Sequence, residues 1–157
     1  MTRLLAATLL LGLWAPSPVT AQANRLQLAD AAVRGLLEEY TESVTGKLVA
    51  IDGTFLSSGQ NEELAVRTNT APARKADTLE CSERIGTTDR HCVLLETDYL
   101  MVLLNAQISG QEAIVDYEFA GNDERGLGQL WLEGGRVTLK REAGGWVLVA
   151  VESIWES

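Results

Sequence analysis

Apolar side chains recur at steps of three and four residues between positions 26 and 45, which predicts one amphipathic helix. The apolar stripe of this helix comprises Ala29, Ala32, Val33, Leu36, Leu37, Tyr40 and Val44. Charged residues, including Arg34 and Glu38, fall on the opposite face. Gly46 follows at a position where a left-handed residue would end the helix. The chain after its first two dozen residues is therefore expected to begin with a helix that has one face in a core.

The second half of the chain alternates apolar and polar residues with a period of two, which predicts β-strands. Strands are predicted over residues 99–108, 112–119, 127–133, 136–141 and 146–155, with turns at Ser109-Gly110, Gly134-Gly135 and 143–145. An antiparallel sheet with this many apolar residues needs a cover on one face. The predicted fold class is therefore α+β, with the N-terminal helix packed on a curled antiparallel meander.

The region between the helix and this sheet is patterned weakly. Residues 48–56 predict a strand with an irregularity at Gly53. Residues 64–66 are compatible with a short helix or a short strand, and residues 68–77 read as a surface loop. No repeat and no second domain is evident, so one domain is expected here.

The first residues have the three parts of a secretory signal peptide: a basic start at Arg3, an uncharged apolar run over residues 4–14, and small residues after Pro18. The run would rise only about 16 Å as a helix, whereas a membrane span takes about 20 apolar residues. Cleavage is expected after Ala23, with Ala21 as the alternative. We therefore divide the chain into a signal peptide, 1–23, and one domain, 24–157, that is periplasmic or secreted, with bacterial export favoured.

Acidic residues outnumber basic ones by 22 to 13, which gives a formal net charge of −9. Phosphate groups of nucleic acids and of anionic lipids would be repelled by such a surface. Nucleic acid is therefore not an expected partner, and neither is a membrane once the signal has been removed.

Two cysteines in an exported chain favour a disulfide, and Cys81 and Cys92 enclose a polar loop of residues 82–91 with Gly86 for a turn. The alternatives are two free thiols or half of a metal site. A metal would need further soft ligands, and His91 is the only histidine. A disulfide is expected, and neither a metal nor a cofactor is.

The C-terminal residues 134–141 and 144–149, followed by Trp155, form a "turn, strand, Gly-Trp, strand" pattern behind a leading amphipathic helix. In this the chain resembles the cystatin-like α+β rolls, and among them the nuclear transport factor 2-like superfamily. The resemblance implies a cone-like roll whose sheet and helix enclose a pocket. That pocket is an enzyme site in some members and a binding or dimer surface in others.

Acid–base chemistry of the isomerase kind needs a carboxylate and a phenol that converge in an apolar pocket. Asp98, Asp116, Tyr99 and Tyr117 are the candidates. Strand alternation directs Tyr117 inward and Asp116 to the other face, so the two are not expected to share a cavity. No catalytic residue is assigned, and whether the protein is an enzyme is left open with a preference against it.

Aromatic residues are the remaining candidates for a ligand or partner surface, although aromatics on a curved sheet are commonly core. The candidate set is Tyr99, Tyr117, Trp131 and Trp155. The preferred hypothesis is an exported, non-enzymatic binding or protein-interaction module that takes a small apolar ligand or an exported protein partner. The alternative is a small pocket enzyme of the isomerase or cyclase type, and a homodimer is compatible with both.

Overall fold

A computed structural model describes residues 18–74, 78–83, 90–122 and 130–156. Its elements, in chain order, are α1 (Pro18–Glu39), α2 (Thr41–Val44), β1 (Val49–Gly53), α3 (Ser58–Thr68), β2 (Ala71–Pro72), β3 (Leu79–Glu83), β4 (Arg90–Leu94), β5 (Tyr99–Ser109), β6 (Glu112–Asn122), β7 (Leu130–Glu142) and β8 (Gly145–Glu156). The fold is α+β, with a helix at its start and a large, curled, mostly antiparallel sheet, as predicted.

Six strands form this sheet in the order β2-β1-β5-β6-β7-β8. Strands β5 to β8 are an antiparallel meander, whereas β1 runs parallel to both β5 and β2. Parallel neighbours need a crossover connection, and α3 supplies the one between β1 and β2. The sequence predicts the meander but not this parallel extension.

Helix α1 covers one face of the sheet, which we call the inner face. It starts earlier than predicted and ends at Glu39, after which Tyr40 separates it from the single turn of α2. Its residues in the main core are Leu26, Leu28, Ala29, Ala32, Val33 and Leu36. All of them follow Ala23, so the described core residues of α1 lie after the predicted cleavage site.

The predicted turn at Gly134-Gly135 is wrong, because β7 runs straight through both glycines. Gly134 lies opposite Trp155 of β8, and Gly135 lies opposite Tyr117 of β6. A Cβ at Gly134 would overlap the Trp155 indole, and one at Gly135 would overlap the Tyr117 ring and the carbonyl oxygen of Glu152. The two glycines therefore make room for aromatic rings across the sheet rather than reversing the chain.

Strand β8 forms one edge of the sheet and carries two β-bulges. One extra residue, Val149, lies between the pairs Leu139–Leu148 and Thr138–Ala150. The second extra residue, Ile154, lies beside Trp155. Both bulge residues are exposed. At the opposite edge, β2 is only two residues long and ends at Pro72.

Helix α3 occupies the region in which the sequence left helix and strand open. Its N-terminus has a capping box: Ser57 Oγ accepts from the backbone N–H of Gln60, and the backbone N–H of Ser57 donates to Gln60 Oε1. Its C-cap, Asn69, is in the left-handed conformation. The predicted loop 68–77 contains β2, and residues 75–77 lie outside the described residues.

The hairpin β3–β4 covers part of the other face of the sheet, which we call the outer face. Leu79 and Leu94 of the hairpin pack with Leu100 and Val102 of β5 in a second, smaller core. Cys81 and Cys92 are directly paired across the hairpin and form the predicted disulfide. Residues 82–83 and 90–91 of the expected loop are thus strand, and residues 84–89, with the turn proposed at Gly86, lie outside the described residues.

Two further expectations concern the N-terminus: a signal peptide over residues 1–23, and its cleavage after Ala23 or Ala21. Residues 1–17 lie outside the described residues, and the two predicted cleavage positions fall in the first turns of α1. Within the described ranges, no helix is long and apolar enough to cross a membrane. Cleavage itself stays a prediction.

We expect the C81S/C92S double variant to lose about 2.5–3 kcal/mol in its free energy of unfolding, because the disulfide closes a loop of sequence separation 11. Urea unfolding would measure this loss. Reduced wild-type protein is the control and should unfold at the same urea concentration as the variant. Two free thiols in denatured, unreduced protein would contradict the assignment.

Candidate functional site

An aromatic cluster lies on the inner face, where the end of α1 meets β5, β6 and β7. Phe119 is at its centre: its ring centroid lies 4.3 Å from that of Tyr40, 5.2 Å from that of Tyr99 and 5.7 Å from that of Trp131. The first two rings are stacked on Phe119 and the Trp131 ring meets it edge-on. Tyr117 lies next to Tyr40, with 6.4 Å between the two centroids. We call these five residues the aromatic cluster.

A chain of hydrogen bonds connects this cluster to a buried carboxylate. The Tyr40 hydroxyl donates to Glu133 Oε1 at 2.6 Å and lies 2.8 Å from the Tyr117 hydroxyl. Because a phenol has one proton and that of Tyr40 goes to Glu133, Tyr117 is the donor to Tyr40. Glu133 is 6% exposed and Tyr117 is 1% exposed. The order of proton donation is therefore Tyr117 to Tyr40 to Glu133.

The phenol groups of Tyr40 and Tyr117 are both held in the neutral form. Burial raises the pKa of Tyr40, and its hydrogen bond to Glu133 raises that pKa further. Burial also raises the pKa of Tyr117, to which the negative charges of Glu133 and Glu39 add. At neutral pH the two tyrosines can donate hydrogen bonds, but neither can act as a base.

The cluster is packed closely around this hydrogen-bond chain, with Tyr117 and Phe119 buried and the other three rings partly buried. The Tyr40 hydroxyl occupies the space between the Tyr117 hydroxyl and the Glu133 carboxylate, where a substrate oxygen would have to lie for both to act on it. The stacked Phe119 ring closes the side below Tyr40. The hydroxyls of Tyr117 and Tyr40 and the carboxylate of Glu133 are therefore hydrogen-bonded to one another.

The structure brings together three of the four predicted surface aromatics. Tyr99, Tyr117 and Trp131 share the inner face, and Tyr99 lies over Gly121. Trp155 is on the outer face over Gly134 and is 43% exposed. The four residues do not form one surface.

The predicted acidic candidates have structural partners away from the aromatic cluster. Asp116 lies on the outer face, as predicted, and forms an ion pair with Arg136 at 3.2 Å. Asp98 accepts a hydrogen bond from the backbone N–H of Leu48 at 2.7 Å, where β1 begins. His91 belongs to β4 rather than to a loop. In the described parts of the chain, no group of histidine, cysteine and acidic residues could hold a metal ion.

Sequence reasoning misses the two residues that complete the buried hydrogen-bond chain, Tyr40 and Glu133. The periodicity places Tyr40 in the apolar stripe but does not mark it as a donor. Glu133 falls at the end of a predicted strand before a turn, and that turn does not exist. A signal is present: in a strand continued through both glycines, Glu133 takes the same face as Val137 and Leu139, which are inward-facing.

A groove of about 620 Å³ lies at the β2 edge of the sheet. Its walls are the start of α3 on one side and the chain around residues 95–97 on the other. The apolar lining residues are Leu48, Ala50, Ala71, Pro72, Ala73 and Leu95, and the polar ones are Ser58, Asn61, Glu62, Arg74, Thr78, Glu96 and Thr97. None of the predicted aromatic candidates lines this groove.

Asn61 fixes the α3 wall of the groove. Its side-chain amide accepts from the backbone N–H of Gly53 at 2.8 Å and donates to the carbonyl of Gly53 at 3.1 Å. This double hydrogen bond ties α3 to the end of β1, and Asn61 is only 9% exposed. The wall is therefore attached rigidly to the sheet.

The opposite wall contains two unusual features. Glu96 has a positive φ of 60°, a backbone conformation that costs a non-glycine residue about 1 kcal/mol or more. Next to it, the Thr97 hydroxyl is buried without a hydrogen-bond partner among the described atoms. Both features belong to the short connection between β4 and β5.

Comparison of the chain with family models, with curated proteins and with solved structures finds no match.

We expect the Tyr40→Phe variant to lose about 2 kcal/mol in its free energy of unfolding at pH 7, since it removes the donor to a buried carboxylate. Urea unfolding measures the loss. Tyr99→Phe is the matched control, because the Tyr99 ring stacks in the same cluster and its hydroxyl is outside the hydrogen-bond chain. Equal stability of the two variants would contradict the buried-carboxylate argument.

We expect stability to fall as the pH rises above about 10. There the unfolded tyrosines lose their protons while the pKa values of Tyr40 and Tyr117 remain raised in the folded state. The unfolded state then binds fewer protons, so the unfolding free energy declines with pH, at most by about 1.4 kcal/mol per pH unit for Tyr40, and Tyr117 adds to the decline. Unfolding of wild type and Tyr40→Phe between pH 10 and 11.5 tests this. The variant should show the shallower slope, and parallel slopes would contradict it.

Proposed function

We propose that this protein is an exported, non-catalytic binding module whose ligand occupies the groove at the β2 edge. The observation that carries the proposal is the groove itself: about 620 Å³ of space lined by six apolar and seven polar residues. Sites for small molecules commonly have volumes of about 300–1,000 Å³.

Rigidity of the groove supports a binding role. The Asn61–Gly53 hydrogen bonds hold the α3 wall to β1. In the other wall, the backbone N–H of Leu95 donates to the carbonyl of Thr78 at 2.8 Å. A site formed in advance loses less conformational entropy when the ligand binds.

Export is supported by the N-terminal pattern and by the Cys81–Cys92 disulfide, since such bonds persist in oxidising compartments. The nuclear transport factor 2-like resemblance is part of this proposal, with the curled sheet as a cone-like roll. The aromatic cluster occupies the inner face of that roll, so we place the ligand site at the edge of the sheet.

The test uses a neutral apolar dye, N-phenyl-1-naphthylamine, whose fluorescence rises in apolar sites. We expect wild-type protein to bind one dye per chain. Ala73→Trp should abolish binding, because the indole would fill the groove beside Pro72. Ala143→Trp is the matched control, since Ala143 is exposed in the turn between β7 and β8, away from the groove.

Circular dichroism and thermal unfolding would establish that both tryptophan variants are folded. Equal dye binding by the Ala73→Trp and Ala143→Trp proteins would contradict a ligand site in the groove. So would the absence of dye binding to wild type.

A small pocket enzyme is the second candidate, and the juxtaposition of Tyr117 with the Glu133 carboxylate favours it. A reaction there would require Tyr40 to move aside and admit a substrate. Phenol is a suitable probe, because it can replace the Tyr40 ring between these groups. If the interior opens, phenol should shift the nuclear magnetic resonance signals of Tyr117 and Glu133 in wild type. Unchanged signals at millimolar phenol would exclude an accessible site of this kind.

A further inference from the structure

The groove is lined by charges of both signs, and this observation narrows the class of its ligand. Arg74 lines it near the start of α3, while Glu62 and Glu96 line its two walls. We propose that the groove binds a short apolar peptide with free ends, whose carboxylate contacts Arg74 and whose ammonium contacts Glu96. This inference rests on the proposed function, because it names the ligand class of the same groove.

Arg74 is held in place by one hydrogen bond, and its other guanidinium N–H groups can bind a ligand. One guanidinium N–H donates to Ser58 Oγ, at the first residue of α3. A guanidinium has five N–H donors, so the remaining ones can form a bidentate pair with a carboxylate. The bond to Ser58 also reduces the entropy that such a long side chain loses when it binds.

Glu96 and Glu62 supply the negative charges. Neither forms a hydrogen bond or ion pair with another described residue. Glu62 lies one turn after Ser58 on α3, the residue that holds Arg74, whereas Glu96 is on the opposite wall. The proposal therefore assigns the ammonium of the ligand to Glu96, which lies on a different element from Ser58 and Arg74.

The backbone of Glu96 is a further feature of this wall of the groove. Glycine would adopt its left-handed conformation without strain, so a glutamate there costs folding free energy. Strained residues that persist are commonly found at binding sites. The carboxylate is the group that glycine would lack, and a role in binding explains the residue.

The apolar residues of the groove, together with charges of both signs, match the chemistry of a peptide. Leu48, Ala71 and Pro72 provide surface for aliphatic side chains. A fatty acid would satisfy only Arg74, and an alkylamine would satisfy only the glutamates. A peptide with free termini satisfies charges of both signs and the apolar residues.

The experiment is a calorimetric titration of the domain 24–157 with leucine, Leu-Ala, Ala-Leu-Ala and Ala-Leu-Leu-Ala, which vary the distance between the charged ends. The best of these is then compared with its N-acetylated and its C-amidated forms. We expect amidation to weaken binding about tenfold and acetylation about fivefold. Octanoate and octylamine, which have one charge each, should bind no better than the capped peptides.

Variants assign each end of the peptide to a residue. Arg74→Gln should lose the discrimination against the amide, and Glu96→Gln should lose the discrimination against the acetylated form. Glu96→Gly should weaken binding as much as Glu96→Gln does, with a melting temperature no lower than that of wild type. Glu63→Gln is the matched control, because Glu63 pairs with Arg67 on α3 outside the groove and should bind like wild type.

Three outcomes separate this inference from the proposed function. Equal binding of free and capped peptides would overturn the peptide assignment, while dye binding blocked by Ala73→Trp would still support the groove. Preferential binding of octanoate or octylamine would replace the peptide by a ligand with one charge. Loss of acetyl discrimination in Glu62→Gln instead of Glu96→Gln would overturn the role of Glu96.

Discussion

A buried carboxylate links the end of the first helix to the sheet of this protein. Glu133 lies in the sheet interior and needs a donor there, because an unpaired buried charge is expensive. The donor comes from Tyr40, at the residue where α1 ends. The position of α1 along the sheet, the break before α2 and the stacking on Phe119 are all compatible with this one bond. A helix shifted by one turn would leave the carboxylate without its donor.

The fold class follows from local patterns, whereas the interior depends on contacts between distant parts of the chain. The stripe of α1 and the alternation in β5 and β6 are visible in the sequence, because each repeats over many residues. The glycines of β7 are locally indistinguishable from a turn. Only the rings of Tyr117 and Trp155, contributed by the two neighbouring strands, explain them. The capping box of Ser57 and Gln60 is a local pattern too, and it marks the start of α3.

The candidate site could not be predicted for a related reason. The groove joins residues of α3, β1, β2 and the β4–β5 connection, and only the parallel pairing of β1 with β5 and β2 brings them together. Short parallel strands have no sequence signature of their own. The aromatic residues are conspicuous in the sequence because of their size, but most of their rings pack in or against the main core. Function in this chain is therefore argued from small and charged residues at the edge of the sheet.

The two edges of the sheet have a consequence for how the protein behaves at high concentration. An open edge strand is a template on which another chain can add a strand. At one edge, β2 offers two residues and a proline, which has no N–H to donate. At the other, the bulges at Val149 and Ile154 interrupt the regular spacing of β8. Among the described strands neither edge is a long, regular ladder, and this disfavours the addition of another chain at the edges of the sheet.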